Sequence, residues 1–392
     1  MKLTMTLMVR DEADIVGAMI RHHAAQGVDA FIVTDNGSVD GTTQILEELA
    51  HELPIRLLHD FEHRKQQGET VTRMARSAAE DGATWVLNAD ADEFWVAADP
   101  ELTLRDAFER IDVGLGSFPV PVYDMIGDPA EAGSGLQRLV YRDLRPVARM
   151  QELGINDHAT HDAAHVGDPE VTVSQGNHFV SIPSQGTPPP GVAVEVLHFP
   201  WRSWSQFGGK VERSGLAYES SPHLEPSANH HGMRDYRRLR DGVLLASYVA
   251  RHPDRAELEA GLASGALVED LRISLSVSSP VDDVPLPADS VALERALWAR
   301  LQPIERRLIG LENDHRRESD DARGLRHELE LRRNELDETR ARLERELSGE
   351  RAALAAAETE LAAVRAELTA MHARRMVRLA DRLAGVVRRG PR

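Results

Sequence analysis

Residues 85–95 read WVLNADADEFW. The run from Trp85 to Asn88 has the length and composition of a buried strand, and it leads straight into Asp90, Asp92 and Glu93. Like charges at close range raise one another's pKa, so three acids at a buried strand end call for a counter-charge. Carboxylates at i and i+2 on an extended segment point to one side, which predicts that Asp90 and Asp92 converge on a single hard divalent cation. Ala91 between them is small and lets a bulky ligand approach the backbone. The plainer alternative is an exposed turn in which Asp90 or Asp92 caps the next segment.

Upstream, the pattern alternates. Strands are expected at 3–9, 30–34 and 55–58 and helices at 12–26, 41–52 and 70–81, before the strand at 85–88. Short apolar runs separated by helical patterns imply parallel strands joined by crossover helices, a Rossmann-like arrangement of α/β class. In such sheets ligands bind beyond the carboxyl ends of the strands. Asp35, which closes the second strand, and Asp90, which closes the fourth, are therefore expected to face one crevice.

The stretch TDNGSVDGT, residues 34–42, places Asp35 at a strand end, a turn at Asn36 and Gly37, and Asp40 or Ser38 as the N-cap of a helix. It reads equally as a bare turn and as a carboxylate able to accept an imide N–H from a nucleobase. Neither GxGxxG after the first strand nor GxxxxGK[ST] occurs, which speaks against a dinucleotide oxidoreductase and a P-loop enzyme.

A chain of 392 residues suggests two or three domains. Its formal charge of -18 disfavours nucleic acid as a partner. With no cysteine, disulfides and thiolate metal sites are excluded, so a bound metal takes oxygen or imidazole ligands. The N-terminal apolar run is too short for a secretory signal and no long apolar span follows, so the cytoplasm is the expected location.

From 117 to 215 the pattern is mixed, with strand-like pieces SFPVPVY, EVTVS and VAVEVLHF. A helix is expected at 234–252. SPVDDVPLPADS, opening at Ser279, reads as a linker. Beyond it Leu329, Leu336 and Leu343 recur every seven residues, Leu347, Leu354, Leu361 and Leu368 continue as the partner seam, and Val364 and Met371 return to the first. This predicts a coiled coil of roughly 70 Å and a homo-oligomer. Arg333, Arg340 and Glu350 interrupt the seam and keep a solitary charged helix or an intramolecular hairpin open. The terminal HARRMVRLADRLAGVVRRGPR carries seven arginines against one aspartate. It reads as a basic amphipathic helix on anionic lipid, hence contact with the inner face of the cell membrane, or as a solvated end of the coiled coil.

The runs MVRDEADIV, TDNGSVDGT, WVLNADADEFW and VLHFPWRSWSQFGGKV, in that order, resemble family 2 glycosyltransferases of the GT-A fold, in particular the bacterial subgroup whose acidic motif reads D-A-D-E-F. The resemblance covers residues 1–215 as a Rossmann-like nucleotide-diphospho-sugar transferase domain. The remaining organisation is a helical appendage at 216–278, a linker at 279–295, a coiled coil at 296–371 and a basic tail at 372–392.

The resemblance implies a nucleotide-sugar donor, UDP-linked as is usual there, a Mn²⁺ or Mg²⁺ ion bridging the diphosphate, and a saccharide or glycolipid acceptor. Carried over by position, Asp35 holds the base and Asp11 lies near the nucleotide. Arg64 contacts the diphosphate, Asp90 meets ribose and metal, and Asp92 meets metal and diphosphate. Glu93 orients the acceptor or a water ligand, and His198 completes the metal shell. Arg202 and Lys210 are candidates for the leaving diphosphate.

Departure of the diphosphate develops negative charge on the leaving group, and an inverting enzyme also needs a carboxylate base on the opposite face of the sugar. Asp124 and Asp157 are the candidates, with Asp162 behind them. The histidines of NDHATHDAAH (156–165) do not by spacing favour a second metal over an exposed loop. GNH, residues 176–178, resembles a short family motif near the acceptor site, with no derivable role. Two rival readings stand: a nucleotidyltransferase, which MVRDEADI disfavours for want of a glycine-rich loop, and a non-enzymatic coiled-coil assembly protein, which the intact acid set disfavours.

Overall fold

The first hundred residues form β1 (Leu3–Val9), α1 (Val16–Ala25), β2 (Ala30–Asp35), α2 (Thr42–Ala50), β3 (Ile55–His59), α3 (Gln67–Glu80), β4 (Trp85–Ala89) and β5 (Glu93–Ala97). There follow α4 (Leu104–Arg110), β6 (Ser117–Val120), β7 (Val122–Ile126), β8 (Ala130–Ala132), β9 (Tyr141–Asp143), α5 (Val147–Leu153), β10 (Asp162–Val166) and β11 (Val194–His198). Then come α6 (Trp204–Glu219), α7 (His231–Arg240), α8 (Leu244–Arg251), α9 (Arg255–Ser264), β12 (Leu267–Glu269), α10 (Arg272–Ser276), β13 (Val284–Pro285) and α11 (Ala288–Val387). The computed structural model describes residues 1–62, 67–155, 157–219 and 231–387, with side chains to 380 apart from residue 231. Arg64 lies outside the described residues, as do Asn156 and the side chains of the last part of the basic tail.

The chain divides into two compact units, Met1–Arg306 and Arg307–Arg392. In the first, a six-stranded sheet runs β3-β2-β1-β4-β10-β6. β1 pairs in parallel with both β2 and β4, so the carboxyl ends of these three strands lie along one edge. β10 alone reverses, running antiparallel to β4 on one side and to β6 on the other, so β6 keeps the direction of β4. The central strands are buried on both faces because helices cover both, the condition under which parallel strands form. Leu3, Met5 and Leu7 are fully buried, and on the other face Thr6 Oγ1 donates to Asn88 Oδ1 at 2.7 Å. Trp85 packs against Phe108 and Phe118, tying β4 to α4 and β6.

A second sheet, β12-β9-β7-β11-β5, leads off from the carboxyl end of β4. β11 runs antiparallel to β5 and parallel to β7. Its outermost strand, β12, falls within the span expected as a helical appendage, and Arg272 just beyond it pairs with Glu195 and Asp270. Residues up to Arg306 therefore belong to the same compact unit.

Other expectations shift for local reasons. The 85–95 stretch is not extended through its acids: Asp90 O accepts from Glu93 N–H at 3.2 Å, so β4 turns sharply into β5. α1 starts at Val16 because Glu12 and Asp14 are engaged by Arg202. EVTVS contributes only a single bridge, Val173 to Val180. The helix expected at 234–252 breaks into α7 and α8 at Gly242, whose φ of 72° suits glycine. Within 279–295, β13 pairs with β8 and α11 has begun by Ala288.

In the second unit, the described residues continue α11. Its seam residues are exposed, from 49% at Leu347 to 70% at Leu329.

Candidate active site

The functional side chains gather where the sheet's carboxyl edge meets the second sheet. Strand register builds the first row. On β11, His198 faces Glu93 of β5 on one side and Asp124 of β7 on the other, and side chains so opposed share a face. His198 Nδ1 lies 2.9 Å from Asp124 Oδ1, and Asp124 Oδ2 accepts from Arg251 Nη2 at 3.0 Å. The carboxylate thus fixes the imidazole and leaves Nε2 facing Asp92 Oδ1, 3.9 Å away. Burial opposes a charge on His198, but the hydrogen bond to Asp124 and the Asp92 carboxylate outweigh it and push its pKa up to about 9.

Asp92 is 1% exposed yet held ionised. Burial pushes its pKa upward, but Lys210, His198 and Arg202 together drive it well below the usual carboxylate range. Lys210 Nζ donates to Asp92 Oδ2 at 3.1 Å and Arg202 Nη1 lies 3.7 Å from it. Lys210 belongs to α6, and Gln206, Lys210 and Arg213, spaced i, i+4 and i+7, form one helix face. Gln206 Nε2 donates to Asp11 O at 3.0 Å, and Arg213 Nε lies 3.3 Å from Asp11 Oδ2. α6 thereby clamps the loop after β1, where Asp11 adopts a left-handed φ of 55° and accepts from Val39 N–H at 2.8 Å.

Asp90 takes a different set of partners. Its Oδ1 accepts from Gln67 Nε2 at 2.9 Å and from Asn177 Nδ2 at 3.1 Å, and its backbone N–H donates to Glu93 Oε2 at 2.8 Å. Burial and the neighbouring Asp92 raise its pKa. Glu93 is raised further, by burial and then by Asp162 and Asp90. Asp162, fully buried at the start of β10, is pushed up to about 8 by burial and the charge of Asp90. His178 Nδ1 lies 3.4 Å from Asp162 Oδ1.

Several expected roles change. Asp124 has both oxygens engaged, one at His198 and the other at Arg251. Asp157 is exposed on the loop before β10, apart from the buried acids. Arg202 is fully buried, with Nε donating to Asp14 at 2.7 Å and Nη2 to Glu12 and Asp14; only Nη1, beside Asp92, lacks a hydrogen-bond partner. It secures the β1 loop. Asp35 ends β2 with its oxygens taken by the Ser38 N–H and hydroxyl, at 3.0 and 2.6 Å, and by the Thr43 hydroxyl. It therefore holds the 34–42 turn as well as lining the edge.

Residues that the sequence did not mark as functional include Gln67, Arg213 and Arg251, which reach the site from distant helices. Glu12 and Asp14 lay in MVRDEAD without a role, and Asn177 in GNH now has one as the donor to Asp90.

Asp90 and Asp92 keep different hydrogen-bond partners across the turn between β4 and β5, Gln67 and Asn177 for one and Lys210 for the other. Among the described residues no three carboxylates or imidazoles form a metal cage. The donor set fits a different kind of site. Mg²⁺ and Mn²⁺ typically keep waters and take few protein ligands beside substrate phosphates, and an ionised Asp92 facing His198 Nε2, with Asp124 behind the imidazole, would supply such a pair once the ion displaces the Nε2 proton.

Residues 7–131 match the family model for Glycosyl transferase family 2. No curated protein matches the chain. Solved structures with similarity include S. aureus TarS 1-349 in complex with UDP, at 12% identity and a TM-score of 0.31 over 64% of this chain and 80% of that one. S. aureus TarS 1-349 matches at 13% and 0.33 over 81% and 92%. GalNAc-T7 with UDP, GalNAc and Mn²⁺ matches at 10% and 0.28 over 61% and 56%. At such TM-scores the structural likenesses carry no argument, and the family match bears on residues 7–131.

Proposed function

We propose, on the premise that the chain is a family 2-like glycosyltransferase matched over residues 7–131, that it moves a sugar from a UDP-linked donor to a saccharide or glycolipid acceptor with inversion and with a divalent metal. The observation that carries this is Asp92: a buried carboxylate held ionised at the carboxyl edge of a parallel sheet, facing an imidazole whose other nitrogen is fixed.

Asp92 and His198 would hold Mn²⁺ or Mg²⁺, which when bound supplies Lewis-acid charge to the departing diphosphate. Asp124 keeps the imidazole oriented with Nε2 forward. Lys210, whose side chain is 48% exposed, can swing its ammonium from Asp92 to a diphosphate oxygen, and Arg213 offers further donors on the same face. Asp35 and the turn it holds frame the base. The acceptor side is assigned to Glu93 and Asp162, in place of Asp124 and Asp157, because burial and neighbouring acids raise both carboxyls, the direction a general base at neutral pH needs. An acceptor at the inner face of the membrane, reached with the arginine-rich tail on anionic lipid, completes the reading.

UDP binding tests it, because a ligand that binds only the native state raises the melting temperature. UDP with Mn²⁺ is expected to raise Tm, EDTA to abolish the rise, and Asp92→Asn to lose it while the far-UV circular dichroism is unchanged. A UDP shift that survives EDTA overturns the metal-dependent reading.

A further inference from the structure

We propose that the apolar stripe of α11 between Leu329 and Met371 is the seam of a parallel, in-register, two-stranded coiled coil with a second copy of this chain. The nine apolar residues of the stripe keep one seven-residue register, broken at Arg333, Arg340 and Glu350, and are 49 to 70% exposed. Exposed leucines repeating at that spacing along tens of ångströms are the pattern that knobs-into-holes packing buries.

Charge complementarity selects the partner and its direction. In a parallel pair, residues flanking the seam face partners five positions further along the other helix. Arg332 then meets the partner's Asp337, Glu346 the partner's Arg351, and Glu360 the partner's Arg365, each contact occurring twice by symmetry. The intervening flanks pair Thr339 and Ala353 with glutamates, so no like-charged flank pair arises.

An antiparallel pair can also match leucines, setting Leu329 on Leu361, Leu336 on Leu354 and Leu343 on Leu347, with Arg340 opposite Glu350. That arrangement brings Glu344 and Glu346 each against its own copy and leaves Leu368 facing Ala322 and Met371 facing Ser319. The parallel pair retains both as apolar layers.

Its cost is that Arg333, Arg340 and Glu350 meet their copies in the seam. Arg340 is already paired, its Nε donating to Glu344 Oε1 of the same helix at 3.0 Å. Long arginine stems can pack along the seam with their heads in water. Polar core positions of this kind fix register at a cost in stability.

Light scattering on the full chain is expected to give twice the 43.4 kDa of one chain, and Leu343→Glu with Leu347→Glu to return it to one. Because the chain lacks cysteine, direction is read by single substitutions under mild oxidation. Arg333→Cys is expected to give a covalent dimer, and Arg345→Cys, on the outer face, none. In the antiparallel alternative Arg333 lies opposite Ala357, about 36 Å along the helix from its own copy, and no link forms. A monomeric mass, a mass of three or more chains, a dimer indifferent to the double glutamate variant, or a dimer that Arg333→Cys fails to link overturns the proposal.

Discussion

In the N-terminal unit Arg202, Asp92, Asp124 and Asp162 are at most 1% exposed, whereas along the helix beyond Arg307 the seam leucines stand 49 to 70% exposed. Each region inverts the usual distribution, in which charge faces water and hydrocarbon is hidden. The inversions differ in how they are compensated. Buried charge in the first unit is largely matched by opposite charge within the same unit, so it persists in a single chain at the expense of desolvation. Exposed leucine in the helix has no match among the described residues, and the proposed second copy is what would cover it.

The largest expected effect breaks the first half of that contrast. Asp92→Asn removes the anion that Lys210, His198 and Arg202 converge on. Sugar transfer is expected to fall by about 1,000-fold, about 4 kcal/mol of transition-state stabilisation. Steady-state release of UDP from whichever UDP-sugar raises the melting temperature measures it, and a variant within tenfold of the native rate would remove Asp92 from the chemistry.

Asp162 is a weakly compensated buried acid: no cation among the described residues pairs closely with it, and its neighbours are the Glu93 carboxyl and His178 Nδ1, 3.4 Å from its Oδ1. Burial, then the charge of Asp90, raises its folded pKa to about 8 from an ordinary 3.8. A carboxyl with a raised folded pKa binds its proton more tightly when folded, so stability falls as pH rises from about 4 through 8. In metal-free protein Asp162→Asn is expected to flatten that slope and to gain about 2 to 4 kcal/mol at pH 8.5, with little change at pH 4. His198 adds a slope of the same sign at higher pH, its stabilisation being complete below pH 6.5 and lost through about 9. Urea unfolding across pH reads this as a shallower fall above pH 4 in Asp162→Asn, the remainder coming from the raised carboxyls of Asp90 and Glu93, with the His198 slope at higher pH unchanged.

Much of the first half was legible in the sequence and little of its wiring was. Short apolar runs and period-3.6 patterns located β1, β2, β4 and the helices between them, because burial of a strand or a helix face is written locally. The strand-end acids were visible for the same reason. Arg251, which fixes Asp124 from 127 positions away, and Arg202, which reaches back 188 positions to Asp14, leave no local trace. Nor did the i, i+2 rule anticipate the turn at Asp90: it presumes extended backbone, and the chain reverses within those residues. The leucine register of α11 needed no long-range information, which is why the region with the simplest contacts was also the easiest to read.

A smaller effect probes compensation inside the site. Asp124→Asn keeps an oxygen for Arg251 but removes the charge that orients and charges His198. Losing such a partner behind a metal-ligating imidazole typically weakens metal affinity 10- to 100-fold, about 1.4 to 2.7 kcal/mol. Mn²⁺ titration followed by electron paramagnetic resonance is expected to show that loss, with the His198 pKa falling below 9 by NMR. Unchanged Mn²⁺ affinity would place the imidazole outside the metal shell.

The smallest effect sets the two regions against each other with one substitution. Gly215 in α6 and Gly349 in α11 are both mid-helix glycines, and a methyl group added to each meets different surroundings. At Gly215 it would lie 2.1 Å from Tyr236 Cδ2; at Gly349 nothing lies within 4 Å. Overpacking a tight contact costs about 1 to 3 kcal/mol, whereas glycine in an open helix is about 0.5 to 1 kcal/mol worse than alanine. Gly215→Ala is therefore expected to lower the melting of the N-terminal unit and Gly349→Ala to raise that of the helix, each followed by circular dichroism. Gly349 also lies off the leucine seam, so its gain should appear whether or not the helix has found a partner. A loss at Gly349 would mean that this face of α11 is already packed against something, and the contrast between a self-compensated unit and an uncompensated helix would fail.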